Sequence, residues 1–160
     1  MFYNRAYFCR HPESEIIIGS HCRFDSTKFK NLIGVNKRCI IATLLPNAKL
    51  EIGNLNGFSG VRIGCAENIS IGNDCLVGAN VTITDSDWHA IDPQERHNEY
   101  AQKTQPVKIG NNVFIGLNSI ILKGSEIGDN SVIGAGSVVS GTIPPNVIAA
   151  GNPCKIIKRI

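Results

Sequence analysis

The sequence predicts an all-β solenoid in which short parallel strands wind into stacked triangular coils. Three observations predict it, and all recur at a spacing of six residues. A branched apolar residue stands first in each hexad, Asn or Gly stands fourth, and a small or β-branched residue stands fifth. Six is neither the helix period of 3.6 nor the strand period of 2, so each hexad is one short strand plus a corner. The apolar ladder consists of Ile109, Ile115, Ile121, Ile127, Ile133 and Val139.

The other two places of the hexad support the same interpretation. The fourth place is held by Asn112, Asn118, Gly124, Asn130 and Gly136. The fifth place is held by Val113, Ser119, Ser125, Ser131 and Ser137. Asn and Gly tolerate positive φ, so the fourth place predicts a left-handed backbone corner. Three hexads then form one coil, about 4.8 Å from the next, with the apolar ladder on the axis.

Along the chain, the lattice of stacked hexads is regular only in the second half of the sequence. Residues 1–15 lack the repeat, and we expect a short irregular or helical cap there, because an open solenoid end exposes strand edges. The β-helix domain is predicted to occupy residues 16–160, with ragged corners over 16–52. The step from Ile63 to Ile71 is eight residues, which predicts that two residues bulge out of that coil.

A larger interruption separates Ile83 from Ile109, which are 26 residues apart and therefore out of step with the hexads. Residues of about 85–105 are predicted to leave the lattice as a loop, and loops on a rigid scaffold are where binding chemistry tends to lie. After Val139 the Pro144-Pro145 pair cannot donate to a ladder, so residues 141–160 are expected to form an irregular coil and a short amphipathic tail.

Composition excludes several classes of protein. The 160 residues carry a net charge of +3 without a dense Lys/Arg stripe, which argues against nucleic-acid binding. No apolar run is long enough to span a membrane, and the N-terminus does not have the form of a signal peptide. Six cysteines without a CxxC pair predict buried, reduced thiols in a cytoplasmic protein. We expect no metal, because neither Cys nor His clusters at ligand spacing.

Two motifs resemble a known family. Residues 80–83 (Asn-Val-Thr-Ile) followed by Asp85-x-Asp87-x-His89 resemble the catalytic turn of the galactoside, maltose and xenobiotic acetyltransferases. Residues 134–155 are similar to the C-terminal signature of that family, and the likeness covers about residues 50–160. The Asp-x-Asp-x-His form, with Gly-Phe-Ser-Gly at 57–60, resembles acetyltransferases of polysaccharide and lipopolysaccharide gene clusters.

The resemblance implies a left-handed β-helix, a homotrimer with parallel axes, and one site at each subunit interface. It implies O-acetylation of a sugar by acetyl-CoA, in surface polysaccharide or lipopolysaccharide biosynthesis. His89 would be the general base for direct attack on the thioester, and imidazole suits that role because its unperturbed pKa is about 6.5. Other readings stay open: an N-acetyltransferase for an amino sugar, another acyl donor, or a β-helix assembly module without catalysis.

Four residues are candidates for contact with the acceptor. Asp85 and Asp87 could bind acceptor hydroxyls or orient His89, and they could equally be loop charges or turn caps. Trp88 could offer an apolar face to a sugar or to the cofactor, or it could anchor the loop on a neighbouring subunit. Ser59 lies in a coil that departs from the hexad pattern, and the family pattern places this coil beside the loop of residues 85–105 that carries His89, here called the histidine loop.

Seven further positions are those that the resemblance assigns to coenzyme A. They are Phe114, Leu117 and Ala135 along the pantetheine arm, Ser140 and Gly141 near its outer end, and Lys155 and Lys158 at the nucleotide phosphates. Independent support comes from a basic C-terminal cluster beside small residues. Several relatives of the galactoside type have Arg at both lysine positions, Lys-Asp in place of residues 141–142, and Trp in place of Phe114.

Overall fold

The computed structural model describes residues 2–3, 5–27 and 31–160, and its strands form three sheets, here called A, B and C, that are the sides of a parallel β-helix. Sheet A contains β1 (Phe2–Tyr3), β4 (Arg23–Asp25), β7 (Gly57–Ser59), β10 (Leu76–Val77), β13 (Phe114–Ile115), β16 (Val132–Ile133), β19 (Val147–Ala150) and β20 (Lys155–Arg159). Sheet B contains β2 (Tyr7–Cys9), β5 (Ile40–Thr43), β8 (Arg62–Cys65), β11 (Thr82–Thr84), β14 (Ile120–Ile121) and β17 (Val138–Val139). Sheet C contains β3 (Glu15–Ile18), β6 (Lys49–Ile52), β9 (Asn68–Ile71), β12 (Val107–Ile109), β15 (Glu126–Ile127) and β18 (Thr142–Ile143).

The pairing register confirms that three hexads make one coil. Ile109 pairs with Ile127 in sheet C, and Ile115 pairs with Ile133 in sheet A. Each partner lies three hexads further along the chain. All these side chains are buried, so the apolar ladder fills the axis as predicted.

The corners also have the predicted conformation. Positive φ angles of 53° to 73° occur at all five fourth places, Asn112, Asn118, Gly124, Asn130 and Gly136. The fifth-place serines have no exposed surface, yet their hydroxyls are satisfied. Ser131 donates to the carbonyl of Pro144 over 2.7 Å, and Ser137 donates to that of Gly134 over 2.6 Å. A buried hydroxyl without such a partner would destabilise the corner.

In the N-terminal coils, the sheet A strands place Phe on the axis where later coils have Val or Ile, while sheets B and C still contribute Ile and Leu. Phe24 and Phe58 stack with their ring centroids 4.9 Å apart, and Phe8 meets Phe24 edge to face at 5.7 Å. The ragged sequence over residues 16–52 therefore still builds lattice strands, with larger side chains and irregular corners.

Within residues 1–15, where we predict an irregular or helical cap, the structure contains short strands. β1 pairs with β4 and β2 pairs with β5, so this stretch supplies strands of the first coil. Residues 1 and 4 of the expected cap lie outside the described residues. The physical reason is that parallel pairing uses main-chain groups, which need no hexad code in the side chains.

The C-terminal end is also more regular than predicted. Residues 142–150 continue the lattice as β18 and β19, because Pro144 and Pro145 fall at a corner and not within a strand. The chain then turns through a cis Asn152–Pro153 bond, and β20 runs antiparallel to β19. β20 is exposed along its whole length, so it covers the end of sheet A without entering the core.

Three further properties follow from the coordinates. All six cysteines are free, and four of them are buried. Over the described ranges, no helix is long and apolar enough to cross a bilayer. Within the same ranges, no three His, Cys, Asp or Glu side chains gather in a way that could hold a metal ion.

Candidate active site

The loop predicted at residues 85–105 leaves the solenoid between β11 and β12, at the corner of sheets B and C. Its base is closed by main-chain contacts. The N–H of Asp87 donates to Lys103 over 3.0 Å, and the N–H of Gln105 donates to Asp85 over 2.9 Å. An antiparallel bridge joins Ser86 to Thr104 between these two bonds. The residues that follow are therefore presented from a fixed base.

His89 is exposed on this loop and lines a pocket of about 480 Å³. The pocket has apolar walls from Leu44 and Leu45 and polar ones from Arg96, His97, Glu99 and Gln102. Arg96 donates to the carbonyl of Ile91 over 3.2 Å, a contact that ties the loop to itself. Sequence reasoning did not identify Arg96 or Gln102, because neither lies in a motif.

Trp88 is anchored on its own chain. Its indole Nε1 donates to Thr84 Oγ1 over 3.0 Å. The ring covers Gly64 so closely that a Cβ there would lie 2.7 Å from the ring. Trp88 has a φ of +64°, and 52% of its surface remains exposed. The free face of the indole and the His89 side chain thus lie together at the pocket.

Asp85, one of the candidates for contact with the acceptor, does not line the pocket that contains His89. Its side chain is fully buried and accepts the N–H groups of Ala66 over 2.6 Å and of Glu67 over 2.8 Å. These two donors belong to the bulge predicted between Ile63 and Ile71. Burial, followed by the charge of Asp85, raises the pKa of the Cys65 thiol, which donates to Asp85 over 3.5 Å. Asp85 is therefore a structural carboxylate that fills the bulge.

Asp87 forms an ion pair with Lys123. The Nζ–Oδ2 distance is 2.6 Å, and both side chains are about three-quarters buried. Lys123 lies in the next coil, so the pair ties the loop to the lattice two residues before His89. Of the two aspartates in the motif, one supports the scaffold and the other restrains the loop.

Ser59 lies elsewhere, on the outer face of sheet A. It lines a second pocket, of about 280 Å³, together with Arg23, Asp25, Leu76 and Phe114. The Oγ atom of Ser59 accepts a hydrogen bond from Asn31 Nδ2 over 3.0 Å, which leaves the hydroxyl proton free to be donated. We call this surface the sheet A groove.

Register links the sheet A groove to the C-terminal lysines. Phe114 pairs with Val132, Val132 pairs with Ile148, and Ile148 pairs with Lys158. Adjacent strands are about 4.8 Å apart, so Lys158 lies about 14 Å from Phe114 along one row of outward-facing side chains. Lys155 pairs with Ala150 on the same edge, and both lysines are exposed.

The remaining predicted cofactor residues lie at two different corners. Leu117 and Ala135 follow β13 and β16 and stack at the corner of sheets A and B, where the N–H of Gly136 donates to Leu117 over 2.8 Å. Ser140 and Gly141 follow β17 at the corner of sheets B and C, the corner from which the histidine loop leaves. Within one chain, the predicted site residues therefore form two groups on different sides of the β-helix. One group lies on sheet A and at its corner with sheet B, and the other lies at the corner of sheets B and C.

Known proteins are similar to the part of the chain that contains these residues. A family model described as the hexapeptide repeat of succinyl-transferase matches residues 59–85 and 106–140. The galactoside O-acetyltransferase of Escherichia coli K12 is 47% identical over 92 residues, which are 58% of this chain and 44% of that protein. The galactoside O-acetyltransferase of Lactococcus lactis is 45% identical over 93 residues, with the same coverage. The alignments thus span less than half the length of these relatives.

Two solved structures extend the likeness over nearly the whole chain. A maltose O-acetyltransferase from Clostridium difficile 630 is 32% identical with a TM-score of 0.54, over 92% of this chain and 68% of that one. A galactoside acetyltransferase in complex with coenzyme A is 28% identical with a TM-score of 0.59, over 96% of this chain and 66% of that one. With these neighbours, the fold is the left-handed parallel β-helix that the family resemblance implied.

Proposed function

This chain belongs to the hexapeptide-repeat acetyltransferases, and on that premise we propose that it transfers an acetyl group from acetyl-CoA to a sugar hydroxyl. The observation that carries the proposal is the placement of His89, which is exposed at a pocket on a loop with a fixed base. The loop lies between the two stretches that match the family model.

His89 acts as the general base in the proposed reaction. Its imidazole accepts the proton of the acceptor hydroxyl as the oxygen attacks the thioester carbonyl. The new C–O bond forms, the C–S bond breaks, and the imidazolium returns its proton to the departing thiolate. The products are an acetyl ester and a free thiol, and no acyl-enzyme is formed. The free hydroxyl proton of Ser59 is available to an oxygen of the bound reactants.

The cofactor part of the proposal uses the sheet A groove. Phe114, Leu117 and Ala135 would line the pantetheine arm, and the row that leads from Phe114 to Lys158 gives the direction in which the cofactor lies. Lys155 and Lys158, exposed at the end of that row, would neutralise the phosphates. Ser140 and Gly141 would contact the outer end of the arm from a second subunit.

We further propose a homotrimer with parallel axes, in which the corner of sheets B and C of one subunit faces the sheet A groove of the next. The division of the site supports this, because His89, Ser140 and Gly141 are at that corner whereas Ser59 and Phe114 are on sheet A. A head-to-tail contact of this kind closes into a ring when the rotation is threefold.

The biological setting is proposed from the same motif. The Asp-x-Asp-x-His form and the Gly-Phe-Ser-Gly stretch support an acceptor in surface polysaccharide or lipopolysaccharide biosynthesis. Six free cysteines support a reducing, cytoplasmic location.

The proposed function is tested by incubating the protein with labelled acetyl-CoA and a panel of sugars that offer hydroxyl or amino groups. Transfer to a hydroxyl, lost in His89→Ala, is the expected result. Transfer to amino groups alone would replace the proposal with N-acetylation. Failure to bind acetyl-CoA, in a folded trimer, would contradict it in favour of an assembly module.

A further inference from the structure

Asp25 presents a buried carboxylate oxygen without a partner. The residue is 6% exposed, and its Oδ2 atom pairs with Arg23 over 2.7 Å. Its Oδ1 atom is buried and has no hydrogen-bond partner within the described part of the chain. A buried, unsatisfied carboxylate oxygen is unfavourable, so this oxygen gains from any donor that reaches it.

This carboxylate belongs to the pocket of the sheet A groove. Asp25 pairs with Ser59 on the neighbouring strand, so the two side chains point to the same outer face, about 4.8 Å apart along the sheet. Leu76 and Phe114 form the opposite wall and are 60% and 47% exposed. Gly57 leaves room for Leu76, whose Cδ2 atom lies 3.3 Å from where a Cβ would stand.

An apolar wall facing two adjacent oxygen groups fits a sugar ring. The ring has a face of C–H groups that can pack on Leu76 and Phe114, and a rim of neighbouring hydroxyls. One hydroxyl could contact Ser59 while the next donates to Asp25. Because Arg23 already neutralises most of the charge on Asp25, the site favours a neutral hydroxyl over an ammonium group.

We propose that Asp25 recognises the acceptor by accepting a hydrogen bond at Oδ1 from a hydroxyl next to the one that is acetylated. This inference rests on the proposed function and adds the chemical requirement that the acceptor is a vicinal diol. Asp25 is a specificity residue here: it contacts the substrate and takes no proton from the reacting oxygen.

The test combines Asp25→Asn with deoxy acceptors. Using methyl galactoside and its monodeoxy derivatives as probes, we expect Asp25→Asn to raise the KM for the parent sugar about tenfold or more, with kcat nearly unchanged. One deoxy derivative should be about tenfold poorer for the wild type and no poorer than the parent for the variant. Glu51→Gln, which alters an ion-paired carboxylate on sheet C, is the matched control and should leave all values unchanged.

Two results would overturn the role of Asp25. One is a KM for the parent sugar that is the same in Asp25→Asn as in the wild type. The other is a loss of activity with every deoxy sugar that is as large in the wild type as in the variant. Acetyl-CoA affinity, measured separately by calorimetry, should be the same in wild type and variant.

Sugar binding is also measured without acetyl-CoA, by saturation-transfer NMR. Wild type that binds the diol without acetylating it, with binding lost in Asp25→Asn, would contradict the proposed function and keep the role of Asp25. Wild type that neither binds nor acetylates any sugar would overturn both. If Asp25→Asn unfolds, Arg23→Gln serves instead and should shift preference toward amino-sugar acceptors, whereas no shift would overturn the role of Asp25.

Discussion

The sheet A groove and the histidine loop hold their functional side chains in different ways. In the groove, the side chains are positioned by strand register: Asp25 pairs with Ser59, and strand pairing connects Phe114 to Lys158. In the loop, the side chains are positioned by a few specific contacts, chiefly the hydrogen bond from the Trp88 indole to Thr84 and the Asp87–Lys123 ion pair. The positions of the groove side chains therefore depend on the pairing of the strands that carry them, whereas the position of the loop depends on individual side-chain contacts.

The comparison also shows that neither region is a complete site. The groove offers apolar walls, a hydroxyl and a carboxylate, and the row of paired residues that starts at Phe114 ends at Lys158, but His89 lines a different pocket of the same chain. The loop carries His89, the proposed base, whereas most of the residues proposed to bind the cofactor lie outside the loop. Each region supplies what the other lacks, and this is what the proposed arrangement of subunits would join.

The largest effect is expected from the loop. His89→Ala should lower turnover on the order of 10²–10⁴, because the acceptor hydroxyl loses its base. The thermal midpoint should stay the same, since His89 is exposed. Steady-state kinetics and a melting curve measure both. His21→Asn, an exposed histidine at a φ of 58° where Asn is tolerated, should behave as wild type. A normal rate in His89→Ala would remove His89 from the mechanism.

Stability should depend on Asp85 more than on any exposed loop charge. Asp85→Ala leaves the N–H groups of Ala66 and Glu67 without an acceptor, and we expect a loss of about 3 kcal/mol in the free energy of unfolding. Urea denaturation measures it. Asp92→Ala, an exposed aspartate that accepts one local N–H, should cost less than about 1 kcal/mol. Equal losses would show that Asp85 does not support the bulge.

The groove is tested by its terminal lysines. Lys155→Ala with Lys158→Ala should weaken acetyl-CoA binding about tenfold, because two charges near the phosphates are lost. Isothermal titration at two salt concentrations should also show a smaller salt dependence. Lys49→Ala with Lys108→Ala removes two lysines that form ion pairs on sheet C and should leave affinity unchanged. Equal effects in the two double variants would indicate a general charge effect.

The smallest effect is expected from the loop anchor. Lys123→Met removes a partly buried ion pair and should cost about 1 kcal/mol or less, with a few-fold loss of turnover as His89 becomes less well placed. Asp87→Asn should have a similar effect, and the double variant should be no worse than either single one. Additive losses would mean that the pair does not act as a unit.

The sequence predicted the lattice because each hexad encodes its own geometry. Asn and Gly at the fourth place set the left-handed corner, and the apolar first place sets the inward direction, so local sterics suffice. The first coil was missed because residues 7–9 do not follow the hexad pattern, whereas their pairing with β5 uses main-chain groups that any sequence supplies. The division into a cap and one domain stays a prediction.

The site was only partly predictable. The break between Ile83 and Ile109 located the loop, but the role of Asp85 depends on donors about twenty residues upstream. The eight-residue step from Ile63 to Ile71 was a usable signal, because bulged N–H groups require an acceptor. No sequence pattern pointed to Lys123 or Asp25, whose partners are set by stacking of coils and by the course of the chain.

Complementation between two inactive variants tests most directly whether the site is shared between chains. His89→Ala disables the loop, and Phe114→Glu places a charge in the sheet A groove at an exposed position. Each variant alone should be inactive. When they are unfolded together and refolded as an equal mixture, about a quarter of the interfaces should carry two intact halves and restore about that fraction of activity. Mixed trimers without activity would contradict the account, because the site would then lie within one chain.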